Sequence, residues 1–246
     1  MMRFALTIAY DGTAYAGWQV QPGKATVQET VELAIEAVSG TRVKLHGSGR
    51  TDRGVHARGQ VAHFDLETRM TPRSILFALN SHLPRDIRIL AVKKVPATFH
   101  ARRTAHSKEY RYTVFNGEIL MPCDRLYAVQ VHKPLDVPLM REGARLFVGE
   151  HDFRAFMANP QRTVESTVRT ITSFEISKRG AVITFKVRGN GFLYKQVRSM
   201  VGMLIRIGHG QEPPSRVAEW LDTAAPRTAR VPSAPPQGLT LWKVWY

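Results

Sequence analysis

The sequence predicts an α+β fold built as two ferredoxin-like (RRM-like) halves, residues 1–103 and 104–246. Their mainly antiparallel sheets are expected to join, with helices on one face and a cleft between the halves. Three observations carry this expectation. Up to Val95 the apolar pattern reads strand, helix, strand, strand, helix, strand, the ferredoxin-like order. After residue 107 the same alternation returns less regularly. Glycine, proline and Asx residues punctuate both halves where turns are needed.

The first strand covers Phe4 to Tyr10, where Leu6, Ile8 and Tyr10 alternate with smaller residues until Asp11-Gly12 ends it. Thr26, three residues before Glu29, forms a capping box for a helix whose Val27, Val31, Ala34 and Val38 share one face. Gly40 closes that helix. Short strands at 42–46 and 59–65 flank a glycine-punctuated loop, and Thr71-Pro72 opens a second helix with proline at its first position. Ile87 to Val95 completes the first half. In the second half Tyr110, Tyr112 and Val114 alternate along a strand that turns at Asn116-Gly117. Asp136 with Pro138 starts a helix running to near Gly149, and strands at 168–176 and 181–188 meet at Arg179-Gly180. An apolar helix carries Leu193, Val197, Met200, Val201, Leu204 and Ile205. Pro213-Pro214-Ser215 begins a short helix through Trp220, and a proline-rich stretch from Pro226 to Gly238 leads into a last strand, Leu239 to Tyr246.

Charge is the first pointer to function. The 35 Lys+Arg against 20 Asp+Glu leave a net +15, an excess that attracts a polyanion, most commonly a nucleic acid. From Ile176 to Gln211 there is no acid but seven bases: Lys178, Arg179, Lys186, Arg188, Lys195, Arg198 and Arg206. Such one-signed runs suit phosphate-tracking walls. No apolar run is long enough for a membrane span, and the start lacks a signal-peptide pattern. The single cysteine, Cys123, excludes an internal disulfide and a Cys-rich zinc site, so the expected compartment is the cytoplasm.

The most specific segment is Gly47-Ser48-Gly49-Arg50-Thr51-Asp52-Arg53-Gly54-Val55-His56-Ala57. Between Arg42 and Arg58 five bases surround one acid, Asp52, and nearby cations favour an ionised carboxylate fit to act as a nucleophile. From the residues alone, a helix cap or turn acid reads Asp52 equally well. The loop has neither the lysine of a phosphate-binding P-loop nor a dinucleotide fingerprint. His46, His63, His100 and His151 lack metal-ligand spacing, so no metal is expected. His56, four residues after Asp52, lies in a loop too glycine-rich to make a helical His/Asp dyad. Trp18 reads as a packing residue, and Trp242 and Trp245 as core or interface residues of a terminal strand.

Gly49-Arg50-Thr51-Asp52, then Gly54-Val55-His56-Ala57 and Gln60-Val61, resemble the active-site loop of the tRNA pseudouridine synthase A family. The resemblance continues through Tyr10-Asp11-Gly12, Gly17-Trp18-Gln19, Phe99-His100-Ala101-Arg102, Tyr110-Arg111-Tyr112, His151-Asp152-Phe153 and Asn190-Gly191-Phe192 to Val201-Gly202. It implies a cofactor-free isomerase that converts uridine to pseudouridine at about positions 38 to 40 of the tRNA anticodon stem-loop, working as a homodimer. It implies that Asp52 is the essential aspartate of the reaction, attacking C6 of the base or C1′ of the ribose, or assisting through the sugar. Tyr110 would stack on the uracil, a contact worth roughly 1–3 kcal/mol. Arg198 would pair with the aspartate, and Arg50 would fill the space a flipped nucleotide leaves. Arg53, Arg58, Arg102 and Lys195 are expected phosphate contacts.

Read without the resemblance, Tyr110 is a strand tyrosine packed beside Tyr112, and Arg198 is as readily a phosphate-binding arginine. The chain departs from the family in having Arg53 after the aspartate, Arg103 after the Phe-His-Ala-Arg run, and Thr240 near the C-terminus, where small, aromatic and aromatic residues are usual. A non-catalytic RNA-binding protein would have no use for Asp52 in a basic loop. A zinc deaminase would need a His-x-Glu and a Pro-Cys-x-x-Cys signature, of which only Met121-Pro122-Cys123 is present.

Overall fold

The computed structural model describes residues 1–158, 164–223, 228 and 231–246, and the expected start of the proline-rich stretch at Pro226 lies outside the described residues. The α+β class is as the sequence predicts. The chain divides into two compact units, one of residues 1–106 with 240–246 and one of residues 107–239.

In the first unit β1 (Met2–Tyr10) is flanked by antiparallel β3 (His56–Leu66) and β4 (Ile87–Val95). Alternation in β1 sends Phe4, Leu6, Ile8 and Tyr10 to one buried face. Helix α2 (Pro72–His82) packs against β4 and α1 (Val27–Ser39) against α2, and the two supply Val31, Ile35, Ile75 and Leu79 to the core. Burying each such side chain stabilises the unit by about 1.5–3 kcal/mol. Phe4 sits opposite Phe64 in register, with ring centroids 5.8 Å apart. The terminal strand β10 (Leu239–Trp245) pairs in parallel with the start of β3, Thr240 opposite His56.

In the second unit β5 (Ser107–Phe115) pairs antiparallel with β9 (Val182–Gly189), β9 with β8 (Val168–Arg179), and β8 with β7 (Gly149–Asp152). A short β6 (Val129–Gln130) runs parallel to the end of β5. Tyr112, Val114, Ile183, Phe185 and Val187 are buried, as are residues of α3 (Val137–Arg145) and α4 (Gln196–Gly208). A further short helix, α5 (Arg216–Asp222), follows.

Three local expectations change. The strand expected at 42–46 is reduced to β2 (His46–Gly47), because the Leu45 amide donates to the buried Glu32 carboxylate at 2.8 Å instead of to a neighbouring strand. Thr26 is the N-cap of α1, but its hydroxyl is buried without a partner, so the capping box is not made. The helix expected to reach Gly149 ends at Arg145, and Gly149 begins β7 at φ +122°.

Candidate active site

Asp52 lies on the loop between β2 and β3, and its own unit holds that loop from several sides. At the loop's entry the buried Gln60 accepts from Ser48 Oγ at 2.7 Å and donates through Nε2 to the Gly49 carbonyl at 2.9 Å. Thr51 is fixed twice. Its carbonyl accepts the Trp18 amide at 3.1 Å, and its Oγ1 shares a hydrogen bond with Tyr10 Oη at 2.8 Å. Burial pushes the Tyr10 phenol well above its ordinary range, so this hydroxyl stays protonated. Beyond Asp52 the chain turns back, the Val55 amide donating to the Asp52 carbonyl at 3.1 Å with Gly54 at φ +75°.

Two glycines let β1 and its following loop reach this turn. A Cβ on Gly12 would stand 2.0 Å from the Val55 carbonyl oxygen. One on Gly17, at φ +110°, would stand 2.7 Å from the Thr51 carbonyl oxygen and 3.2 Å from the Asp52 carbonyl carbon. The Gly12 amide donates to His56 Nδ1 at 3.1 Å, and Asp11 Oδ1 lies equally close to that nitrogen. His56 therefore braces the β1 end of the cradle. Trp18 is a packing residue: it is 2% exposed, its ring centroid is 6.1 Å from that of Tyr10, and Gly47 leaves room for its indole.

The four arginines of this unit singled out by the sequence are all exposed. Arg50 and Arg53 are exposed on either side of Asp52, which is itself half-buried. Arg58, exposed on β3, lies over the Trp242 ring at 4.5 Å in a cation–π stack. Arg102 is exposed in the turn after β4, its amide donating to His100 Nδ1 at 3.2 Å.

In the second unit Tyr110 lies on β5 opposite Val187 and is 7% exposed. Its ring meets Phe192 edge-on at 5.1 Å. Arg198 is in the first turn of α4, half-buried, with Nε donating to the Ala234 carbonyl at 2.7 Å. Lys195 caps that helix at φ +59°, the one non-glycine in the left-handed region among the described residues. Such a conformation costs about 1–2 kcal/mol for a residue with a Cβ.

A carboxylate on a loop so braced can act as a nucleophile with little reorganisation, since its backbone is already immobilised. Among the described residues no group of three or more His, Cys, Asp or Glu side chains is arranged to hold a metal. No helix among them is long and apolar enough to cross a membrane. The bracing by Tyr10, Gln60 and His56 has no separate sequence signal, because it depends on β1 and β3 pairing at the observed register.

A family model described as tRNA pseudouridine synthase matches residues 6–102 and 144–246. The chain is 43% identical to tRNA pseudouridine synthase A of Brevibacillus brevis, over 100% of both chains. It is 43% identical to tRNA pseudouridine synthase A 2 of Clostridium perfringens, again over 100% of both. The tRNA pseudouridine synthase A of Citrifermentans bemidjiense matches at 43% over 100% of this chain and 98% of its own.

Proposed function

The chain belongs to the tRNA pseudouridine synthase family and is an isomerase of tRNA uridine; from that premise we propose that it acts at about positions 38 to 40 of the anticodon stem-loop, with Asp52 as its nucleophile. The observation that supports this reading is the bracing of the Asp52 loop by Tyr10, Trp18 and Gln60, which holds the backbone that carries this one acid, with the exposed Arg50 and Arg53 near it in sequence. A stem uridine hides its glycosidic bond in the stack, so the base is turned out before reaction. Asp52 then attacks the nucleoside at C1′ or C6, the N1–C1′ bond breaks, the uracil turns, and a C5–C1′ bond forms while the bond to Asp52 breaks and the carboxylate is regenerated. The C5 proton leaves to solvent and N1 gains one, so atoms balance without an oxidant or cofactor.

In this reading Tyr110 stacks on the turned-out uracil, Arg198 is the cation for the aspartate, and Arg50 occupies the vacated position in the stem. Arg53, Arg58, Arg102 and Lys195 contact phosphates, and the working form is a cytoplasmic homodimer. The regional specificity is tested by incubating unmodified tRNA transcripts with the protein and mapping pseudouridine by carbodiimide adducts and reverse-transcription stops. Stops confined to about positions 38 to 40 are expected. Stops elsewhere, with that region unmodified, would contradict the assignment of the anticodon stem-loop while leaving the isomerase activity intact.

A further inference from the structure

Several contacts within the second unit converge on one short stretch of backbone, Pro232 to Pro235. The Ala234 amide donates to the Arg198 carbonyl at 2.9 Å, and Arg198 Nε donates back to the Ala234 carbonyl at 2.7 Å. One residue thus grips Arg198 by both its main chain and its side chain. The next carbonyl, of Pro235, accepts from Tyr112 Oη at 2.8 Å. On the helix side Gly202 permits close approach, since a Cβ there would stand 2.1 Å from the Pro232 carbonyl oxygen. Ser199 Oγ and Ser233 Oγ are 3.2 Å apart. On the strand side a Cβ on Gly238 would stand 2.6 Å from the Tyr112 ring.

This stretch is a stiff strap between α4 and β5. Pro232, Pro235 and Pro236 have their φ angles fixed by the ring, which leaves the strap few conformations. Tyr112 is fully buried, and burial pushes its phenol well above the ordinary range, so Oη remains a donor; the Arg198 charge acts more weakly in the opposite sense. An arginine side chain has many rotamers, but a hydrogen bond at Nε fixes the plane of its guanidinium and hence the direction of both terminal nitrogens.

We propose that Tyr112 is a positioning residue for the isomerisation: by anchoring Pro235 it holds the Ala234 carbonyl that aims the Arg198 guanidinium. The inference rests on the assignment of Arg198 to the reaction made above. It extends that assignment to a tyrosine that need touch neither the uridine nor the aspartate.

Tyr112→Phe removes only the hydroxyl and is read in two ways. In single-turnover assays with saturating enzyme and tRNA tritiated at uridine C5, the rate is expected to fall about tenfold, as for a small misplacement of a reacting group. The tRNA Kd is expected to stay within about twofold, since no phosphate contact is lost. Independently, the Arg198 Nε–H signal in a nitrogen-15 correlation spectrum, assigned by its loss in Arg198→Lys, is expected to exchange with water at least about tenfold faster in Tyr112→Phe, because local opening governs exchange. Gly202→Ala presses on the strap from the helix side and is expected to give the same pair of changes should Tyr112→Phe fold poorly. A rate within twofold of the wild type, a rate loss matched by loss of tRNA affinity, or unchanged Nε–H exchange would overturn the proposal. If the wild type releases no tritium from any tRNA, it is the function assigned to the site that fails, and the exchange measurement still decides the strap.

Discussion

Tyr10 Oη lies 2.8 Å from Thr51 Oγ1, one residue before Asp52, so the last buried residue of β1 is tied directly to the loop that carries the carboxylate. The link joins β1 to the loop that carries Asp52. Tyr10→Phe should lower stability by about 0.5–1.5 kcal/mol, the usual net worth of one hydrogen bond. Its isomerisation rate should fall further than that loss alone explains, since the folded population stays near complete. Urea midpoints and single-turnover rates on the same preparation check this. A rate equal to the wild type would show that the tie does not position Asp52.

A histidine cluster in the same unit sets an acid limit. His63 stacks on His46 at 5.0 Å between ring centroids, meets His100 edge-on at 4.7 Å, and accepts the Ala101 amide through Nδ1 at 3.2 Å. Burial first, then the charges of His100, Arg3 and His46, push its pKa down to about 4 against the opposing pull of Asp65. The unfolded chain therefore binds this proton more readily between pH 6.5 and about 4, and stability falls as pH drops through that window. Urea midpoints at pH 7, 5.5 and 4.5 should show the decline, and His63→Gln should flatten it. An unchanged slope in the variant would assign the decline to other groups.

Lys195 holds a left-handed conformation at the entrance to α4. Lys195→Gly should raise stability by up to about 1 kcal/mol, because glycine adopts φ > 0 without a Cβ clash. The same change should weaken tRNA binding, as should Lys195→Ala, which leaves the strain in place. Urea midpoints and filter binding separate the two effects. A destabilised glycine variant would mean that the side chain packs more than it strains.

Arg58, exposed over Trp242, should behave as a phosphate contact. Binding of tRNA should weaken steeply with salt, and Arg58→Ala should reduce the slope of log K against log salt by about 1. Fluorescence titrations between 50 and 200 mM salt, at roughly the range over which such contacts are screened, measure it. A slope unchanged by the substitution would remove Arg58 from the RNA surface.

Much of the fold was legible because the periods are clean. The alternation from Phe4 to Tyr10 and the Gly40 stop of α1 appear where the sequence puts them. The missed details are tertiary. Glu32, a surface-type residue on α1, turns inward and takes the Leu45 amide that would have made β2 longer. Thr26 keeps its cap position but is buried so completely that its hydroxyl finds no donor. At the site, the loop around Asp52 could be read as a charge pattern. The partners that fix it, Tyr10 from β1 and Gln60 from β3, are ordinary strand residues until pairing brings them to Thr51 and Gly49. The strap on Arg198 was invisible for the same reason: Ala234 and Pro235 act through backbone carbonyls, which carry no side-chain signature.

The proposed role of Asp52 as the nucleophile of a uridine isomerase is decided by a comparison of the wild type with one variant. Unmodified tRNA tritiated at uridine C5 is incubated with the wild type and with Asp52→Asn, and tritium release and retained RNA are measured side by side. Release by the wild type, none above background by the variant, and equal tRNA binding by both are expected. Release by Asp52→Asn at the wild-type rate would contradict that role.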